Sequence, residues 1–94
     1  MNSGIEEFRA IISGRVQMVM FRDFTCRKAR KVDVTGFVRN LSDGTVEVVA
    51  QGSKENLEKL LEYLLKGSML SHVENVSVEW RTPQKTFDAF EIAY

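Results

Sequence analysis

Between Ser53 and Gly67 the chain carries leucine at positions 57, 60, 61, 64 and 65. Spacings of i, i+3, i+4, i+7 and i+8 put these leucines on one stripe of an α-helix whose other faces are polar. A single apolar stripe cannot be buried by the helix itself and needs a flat apolar partner, which in a chain this short means a β-sheet. Ser53 is a fitting N-cap, Asn56 leaves the capping box incomplete, and Gly67 is a suitable stop.

The rest of the sequence supplies the strands. Residues 8–13 alternate with Phe8, Ala10 and Ile12 on one face, and Gly14 closes this first strand. Residues 21–32 read as a helix with Phe21, Thr25, Ala29 and Val32 recurring near one face, and with Arg27, Lys28, Arg30 and Lys31 on its solvated side. Residues 34–41 and 45–51 read as strands joined by the turn Ser42-Asp43-Gly44. In the second of these, Val46, Val48 and Ala50 alternate with Glu47, Val49 and Gln51. After a loop over residues 68–72, residues 73–80 form another strand with Val76, Val78 and Trp80 facing one way. Residues 82–85 break it, and residues 87–93 make a short last strand.

The order β-α-β-β-α-β-β implies the α+β class: a ferredoxin-like sandwich with a mostly antiparallel sheet and two helices on one face. One domain over residues 1–94 is expected, with residues 1–7 as a flexible N-terminal extension.

Thirteen basic and thirteen acidic residues cancel, so no long-range field draws in nucleic acid or anionic membrane, and any anion site must be local. Cys26 is the single cysteine, which excludes an intrachain disulfide; a half-buried helix cysteine is expected there rather than a reactive thiol. His72 is the single histidine and reads as a surface loop residue, so a histidine-rich metal site is excluded. No CxxC, HExxH, P-loop or GxSxG pattern occurs, and the carboxylates are scattered. Phe8 on the first strand, without an aromatic on the third, makes no RNA-stacking platform. Glu6 and Glu7 with no apolar run argue against a signal peptide, and no stretch approaches the roughly 18–20 apolar residues of a membrane span. A cytoplasmic location is the default expectation.

The run Gly14-Arg15-Val16-Gln17-Met18-Val19-Met20-Phe21-Arg22 joins the first strand to the first helix. Such a junction can direct the backbone N–H groups of Gln17, Met18, Val19, Met20, Phe21 and Arg22 at one anion. A cation at a helix N-terminus opposes the macrodipole, so Arg22 calls for an anion to offset both, and its planar guanidinium suits a bidentate clamp. Asn40 ends the following strand, where it serves either as ordinary turn chemistry before Leu41-Ser42-Asp43-Gly44 or as a neutral amide that holds a water.

Together with Gly36-Phe37-Val38-Arg39-Asn40, that run resembles the signature of the acylphosphatases, G-R-V-Q-G-V-x-F-R followed by G-[WF]-V-x-N. The resemblance continues through Asp43-Gly44-Thr45-Val46-Glu47 and Gln51-Gly52 to Phe90-Glu91-Ile92-Ala93-Tyr94. It implies the same ferredoxin-like fold and a hydrolase that turns an acyl phosphate and water into a carboxylate and inorganic phosphate, without metal or cofactor. By the same resemblance Arg22 and the loop amides hold the phosphate, Asn40 orients the attacking water, and Gly14 and Arg15 support the loop. The partners implied are the small-molecule acyl phosphate and inorganic phosphate, with no nucleic acid or membrane, and the chain is expected to be a monomer.

Two residues depart from the family pattern. Asp33 replaces a glycine after the first helix, where aspartate tolerates a left-handed backbone. Met18 replaces the second loop glycine. If that position is left-handed, methionine adds about 1–2 kcal/mol of strain; if not, its side chain merely caps the site. Met18, Val19 and Met20 would then either restrict access or favour an apolar acyl group. The alternative reading is an impaired phosphate-binding or interaction module of the same fold. A copy of the acylphosphatase-like domain of larger maturation proteins is a related possibility, against which the chain's self-contained ends argue.

Overall fold

The computed structural model describes residues 4–94, which form β1 (Glu6–Arg15), α1 (Phe21–Lys31), β2 (Thr35–Asn40), β3 (Val46–Gly52), α2 (Lys54–Lys66), β4 (His72–Arg81) and β5 (Phe90–Ile92). The strands make one sheet in the order β4-β1-β3-β2-β5, antiparallel throughout except for the parallel β2–β5 pair. The order and the single mostly antiparallel sheet are those the hydrophobic pattern predicts.

Period-two alternation sends Phe8, Ala10 and Ile12 of β1, Val38 of β2, and Val46, Val48 and Ala50 of β3 to one face. There they join Phe21, Phe24, Cys26 and Ala29 of α1 and Leu57, Leu60 and Leu64 of α2 in one core. The leucine stripe is narrower than its spacing suggests. Leu61 is half-buried and Leu65 is exposed, because each helical residue turns about 100° from the last and Leu64 already faces the sheet. Ser53 caps α2 by accepting from the Asn56 N–H, and Gly67 follows its last turn.

The other sheet face departs further from expectation. Glu47, Val49 and Gln51, which alternation turns away from the helices, are also buried. Glu47 is bridged by Arg9 and Arg39, each Nε donating at 2.5 Å. Gln51 donates to Glu7 at 2.7 Å and to the Lys85 carbonyl, while Arg81 donates to the second Glu7 oxygen. Glu6 and Glu7 therefore belong to the sheet and not to an N-terminal extension, because the buried Gln51 and the partly exposed Arg81 satisfy the Glu7 carboxylate. Residues 1–3 of that expected extension lie outside the described residues.

The last strand is also shorter than expected. Phe87 leaves the strand line, packs edge-on against Phe37 at 5.8 Å and donates its N–H to Gln51. The remaining three residues are held on the sheet edge by α1: Arg30 and the Cys26 thiol both donate to the Phe90 carbonyl. No described helix is long and apolar enough to cross a membrane.

Candidate active site

The first strand does not end at Gly14. It continues to Arg15 through a bulge against β4, where the register shifts between Ser13 and Gly14. Gly14 has φ +119°, and a Cβ there would stand 2.2 Å from the His72 carbonyl oxygen, so only glycine fits. Arg15 and His72 pair across this bulge, and both side chains are exposed.

The chain then crosses to α1 in an in-and-out alternation. Val16 and Phe21 are buried at the two ends, Val19 packs against the core between them, and Met18 and Met20 turn outward, 99% and 68% exposed. Both methionines are left-handed, with φ +62°. The departure at Met18 thus falls on a position that favours glycine, and Met20 is a second such position that the sequence did not disclose. Left-handed residues set among right-handed ones turn successive backbone N–H groups toward one side, as in anion-binding nests. Met20 is also the N-cap of α1, and no side chain caps that end. The Met20 carbonyl accepts from the Phe24 N–H at 3.0 Å, which starts the helix. The early N–H groups of α1 and the positive end of its dipole lie at the end where the loop enters the helix.

Arg22 lies in the first turn of α1, half-buried, with its guanidinium 5.2 Å from the centroid of the Tyr94 ring. Among the described residues no carboxylate is ion-paired with it. The neighbouring Asp23 is engaged by Arg27 at 3.0 Å, one helical turn on. Val16, Met18, Met20, Phe21, Arg22, Asp23 and Ile92 line a concavity of about 450 Å³.

Asn40 is the last residue of β2, opposite Val46. Its Oδ1 is buried and has no hydrogen-bond partner among the described residues. The loop reaches this corner through Gln17, whose side-chain amide donates to the carbonyls of Leu41 and Thr45, each at 2.8 Å. One side chain thus fastens the loop across the mouth of the β2–β3 turn, next to Asn40. The turn is shaped in its own right by Asp43, which accepts from the Thr45 N–H and hydroxyl. Those bonds hold the Asp43 carboxyl below its ordinary range.

Sequence reasoning named Gln17 only for its backbone and missed Tyr94 and Ile92. The missing cap was readable, since position 20 is none of Ser, Thr, Asp or Asn. Asp33 is left-handed at φ +58°, as its place after the helix suggests. Cys26 is fully packed against the core; burial pushes its thiol pKa up, although nearby Arg30 opposes the shift, which leaves little thiolate character.

A larger concavity, about 690 Å³, opens on the far sheet face around Phe37, Val49, Arg81, Lys85 and Phe87. Its buried carboxylate, Glu7, is already satisfied by Gln51 and Arg81. The smaller loop concavity adjoins an uncapped helix N-terminus and an arginine with no ion-pair partner among the described residues.

The acylphosphatase family model matches residues 8–92. An acylphosphatase of Salinibacter ruber is 45% identical over 93 residues, 98% of each chain. The crystal structure of acylphosphatase from Bacillus subtilis superposes with a TM-score of 0.92 at 36% identity, covering 95% of this chain and 99% of that one. An acylphosphatase structure from Coxiella burnetii gives a TM-score of 0.92 at 32% identity, covering 99% of this chain and all of the other. With a matching fold, a matching family model and full-length relatives of this similarity, the chain belongs to the acylphosphatase family.

Proposed function

We propose that this chain hydrolyses acyl phosphates by direct attack of water at phosphorus, with Arg22 and the amides of Gln17 to Arg22 holding the phosphoryl oxygens. The observation that carries this reading is the buried, unpartnered Asn40 Oδ1 beside a loop that opens onto an uncapped helix N-terminus. A water donating one O–H to Oδ1 satisfies that acceptor and keeps a lone pair free for attack. As its oxygen bonds to phosphorus, the P–O bond to the acyl group breaks in line and the electron pair leaves on a carboxylate. The water's protons end on the phosphate product and in solvent.

A carboxylate is a weak base, so the leaving group needs no general acid. Guanidinium and amide dipoles supply the positive charge that the transition state requires, so no metal is assigned a role. The guanidinium lies 5.2 Å from the centroid of the exposed Tyr94 ring, a contact that leaves its charge unneutralised.

Steady-state hydrolysis of benzoyl phosphate with a chelator present tests this reading. The wild-type chain is expected to turn over. Arg22→Ala and Asn40→Ala should each lose at least about 10²-fold in kcat, the usual effect of removing one preorganised group. Wild-type activity that survives Arg22→Ala, or no activity at all, overturns the assignment. One observation favours a second reading, an impaired phosphate-binding module: the left-handed, non-glycine Met18. A large rise in turnover on Met18→Gly would support it.

A further inference from the structure

We infer that Met18 and Met20 form the acyl-group subsite, so that the chain selects acyl phosphates with an aromatic or long aliphatic acyl group over short ones such as acetyl; this rests on the hydrolase reading above. The phosphoryl group is held by the backbone of residues 17–22, so the acyl group must leave the cradle past the side chains on the same residues. Val19 points into the core, which leaves the two methionines at the rim.

Their exposure shows that neither is placed there by packing within the free protein. Both stand on backbone that disfavours any side chain, so the fold itself gives no reason for methionine at either position. The concavity they border is otherwise apolar, from Val16, Phe21 and Ile92, apart from Arg22 and Asp23. Arg22 is committed to the phosphoryl end and Asp23 to its ion pair with Arg27, which leaves the apolar lining to the acyl group. Methionine is unbranched and polarisable, and its sulfur makes favourable contacts with aromatic rings, so two thioethers can fold onto acyl groups of different shape.

The test is the ratio of kcat/KM for benzoyl phosphate to that for acetyl phosphate. It is measured in the wild-type chain, in the double variant Met18→Gly/Met20→Gly, and in Met18→Leu/Met20→Leu. Changes in loop backbone act on the phosphoryl group common to both substrates and cancel in the ratio. The wild-type ratio should favour benzoyl phosphate, and the glycine pair should lower it about tenfold, in line with the loss of apolar contacts in a pocket. The leucine pair keeps the apolar surface and should hold the ratio within about twofold. A ratio unmoved by the glycine pair, or lowered as far by the leucine pair, overturns the subsite while leaving hydrolysis intact. Failure of the wild-type chain to hydrolyse either substrate overturns the hydrolase reading and the subsite with it.

Discussion

Replacing Met18 with glycine is expected to stabilise the fold, although it removes a large apolar side chain. Holding an L-residue in the left-handed region at φ +62° costs about 1–2 kcal/mol, which glycine does not incur. The side chain is 99% exposed, so almost no buried apolar area is lost. Against the gain stands the greater freedom of glycine in the unfolded chain, about 0.5–1 kcal/mol. The balance is a stabilisation of about 0.5–1 kcal/mol, or about 2–8 °C in Tm for a domain of this size.

Urea unfolding followed by the fluorescence of Trp80, the only tryptophan, measures it directly. Trp80 packs edge-on against the fully buried Phe8 at 5.6 Å, so its signal reports on the core. The midpoint should rise with the slope m unchanged. Met18→Ala serves as control, since alanine keeps the left-handed penalty and should gain nothing. An unchanged or lower midpoint for glycine, or an equal gain for alanine, would refute the assignment of strain to this position.

Two further outcomes follow from the hydrogen bonds. Gln17→Leu removes both amide bonds across the β2–β3 turn and leaves two carbonyls without that donor, so stability should fall by about 1–3 kcal/mol. If the staple also sets the loop against Asn40, kcat should drop more than the affinity for inorganic phosphate as an inhibitor; equal losses in both would contradict that role. Glu47 links stability to pH. Burial alone would raise its pKa, but hydrogen bonds and charge from Arg39 and Arg9 outweigh this and hold it below the ordinary value of 4.5. Its contribution is therefore present above that value and is lost as pH falls through the depressed one. Glu47→Gln should cost about 1–2 kcal/mol at pH 7, with the half-exposed arginines limiting the loss, and the gap from wild type should close on acidification. Urea midpoints that differ equally at about pH 7 and pH 3 would contradict the linkage.

The fold was legible where local pattern and long-range packing agree. The stripe at Leu57, Leu60 and Leu64, the turn at Ser42-Asp43-Gly44 and the alternation in β1 each reflect a period imposed by one buried face. Glu7 was misread because an acidic residue near a terminus is ordinarily solvated; its partner Arg81 lies 74 positions away, and nothing local announces it. Leu65 was misread because spacing gives a stripe without the width of the surface that covers it.

At the loop, residue types marked Arg22 and the backbone amides as candidates for holding an anion, and Asp33 carried a recognised left-handed preference. Met20 carried none, because methionine has no bias toward that conformation. The Gln17 staple joins residues 24 and 28 positions apart, which no spacing rule could supply.

Val46 lies opposite Ile12 on one side and Asn40 on the other. Strand β3 is therefore the spacer between the strand that leads into the arginine loop and the strand that ends in asparagine. Helix α1 also packs on β2, and Gln17 ties the loop to Leu41 beside Asn40, so β3 adds the hydrogen-bonded spacing of β1 from β2 to links already made by α1 and Gln17. Inserting β3 closes a long chain loop, a non-local step of the kind that slows folding. The candidate site reaches its full geometry only with β3 in the sheet. Regain of hydrolysis during refolding is therefore expected to track the pairing of β3 with β1 and not the winding of α1.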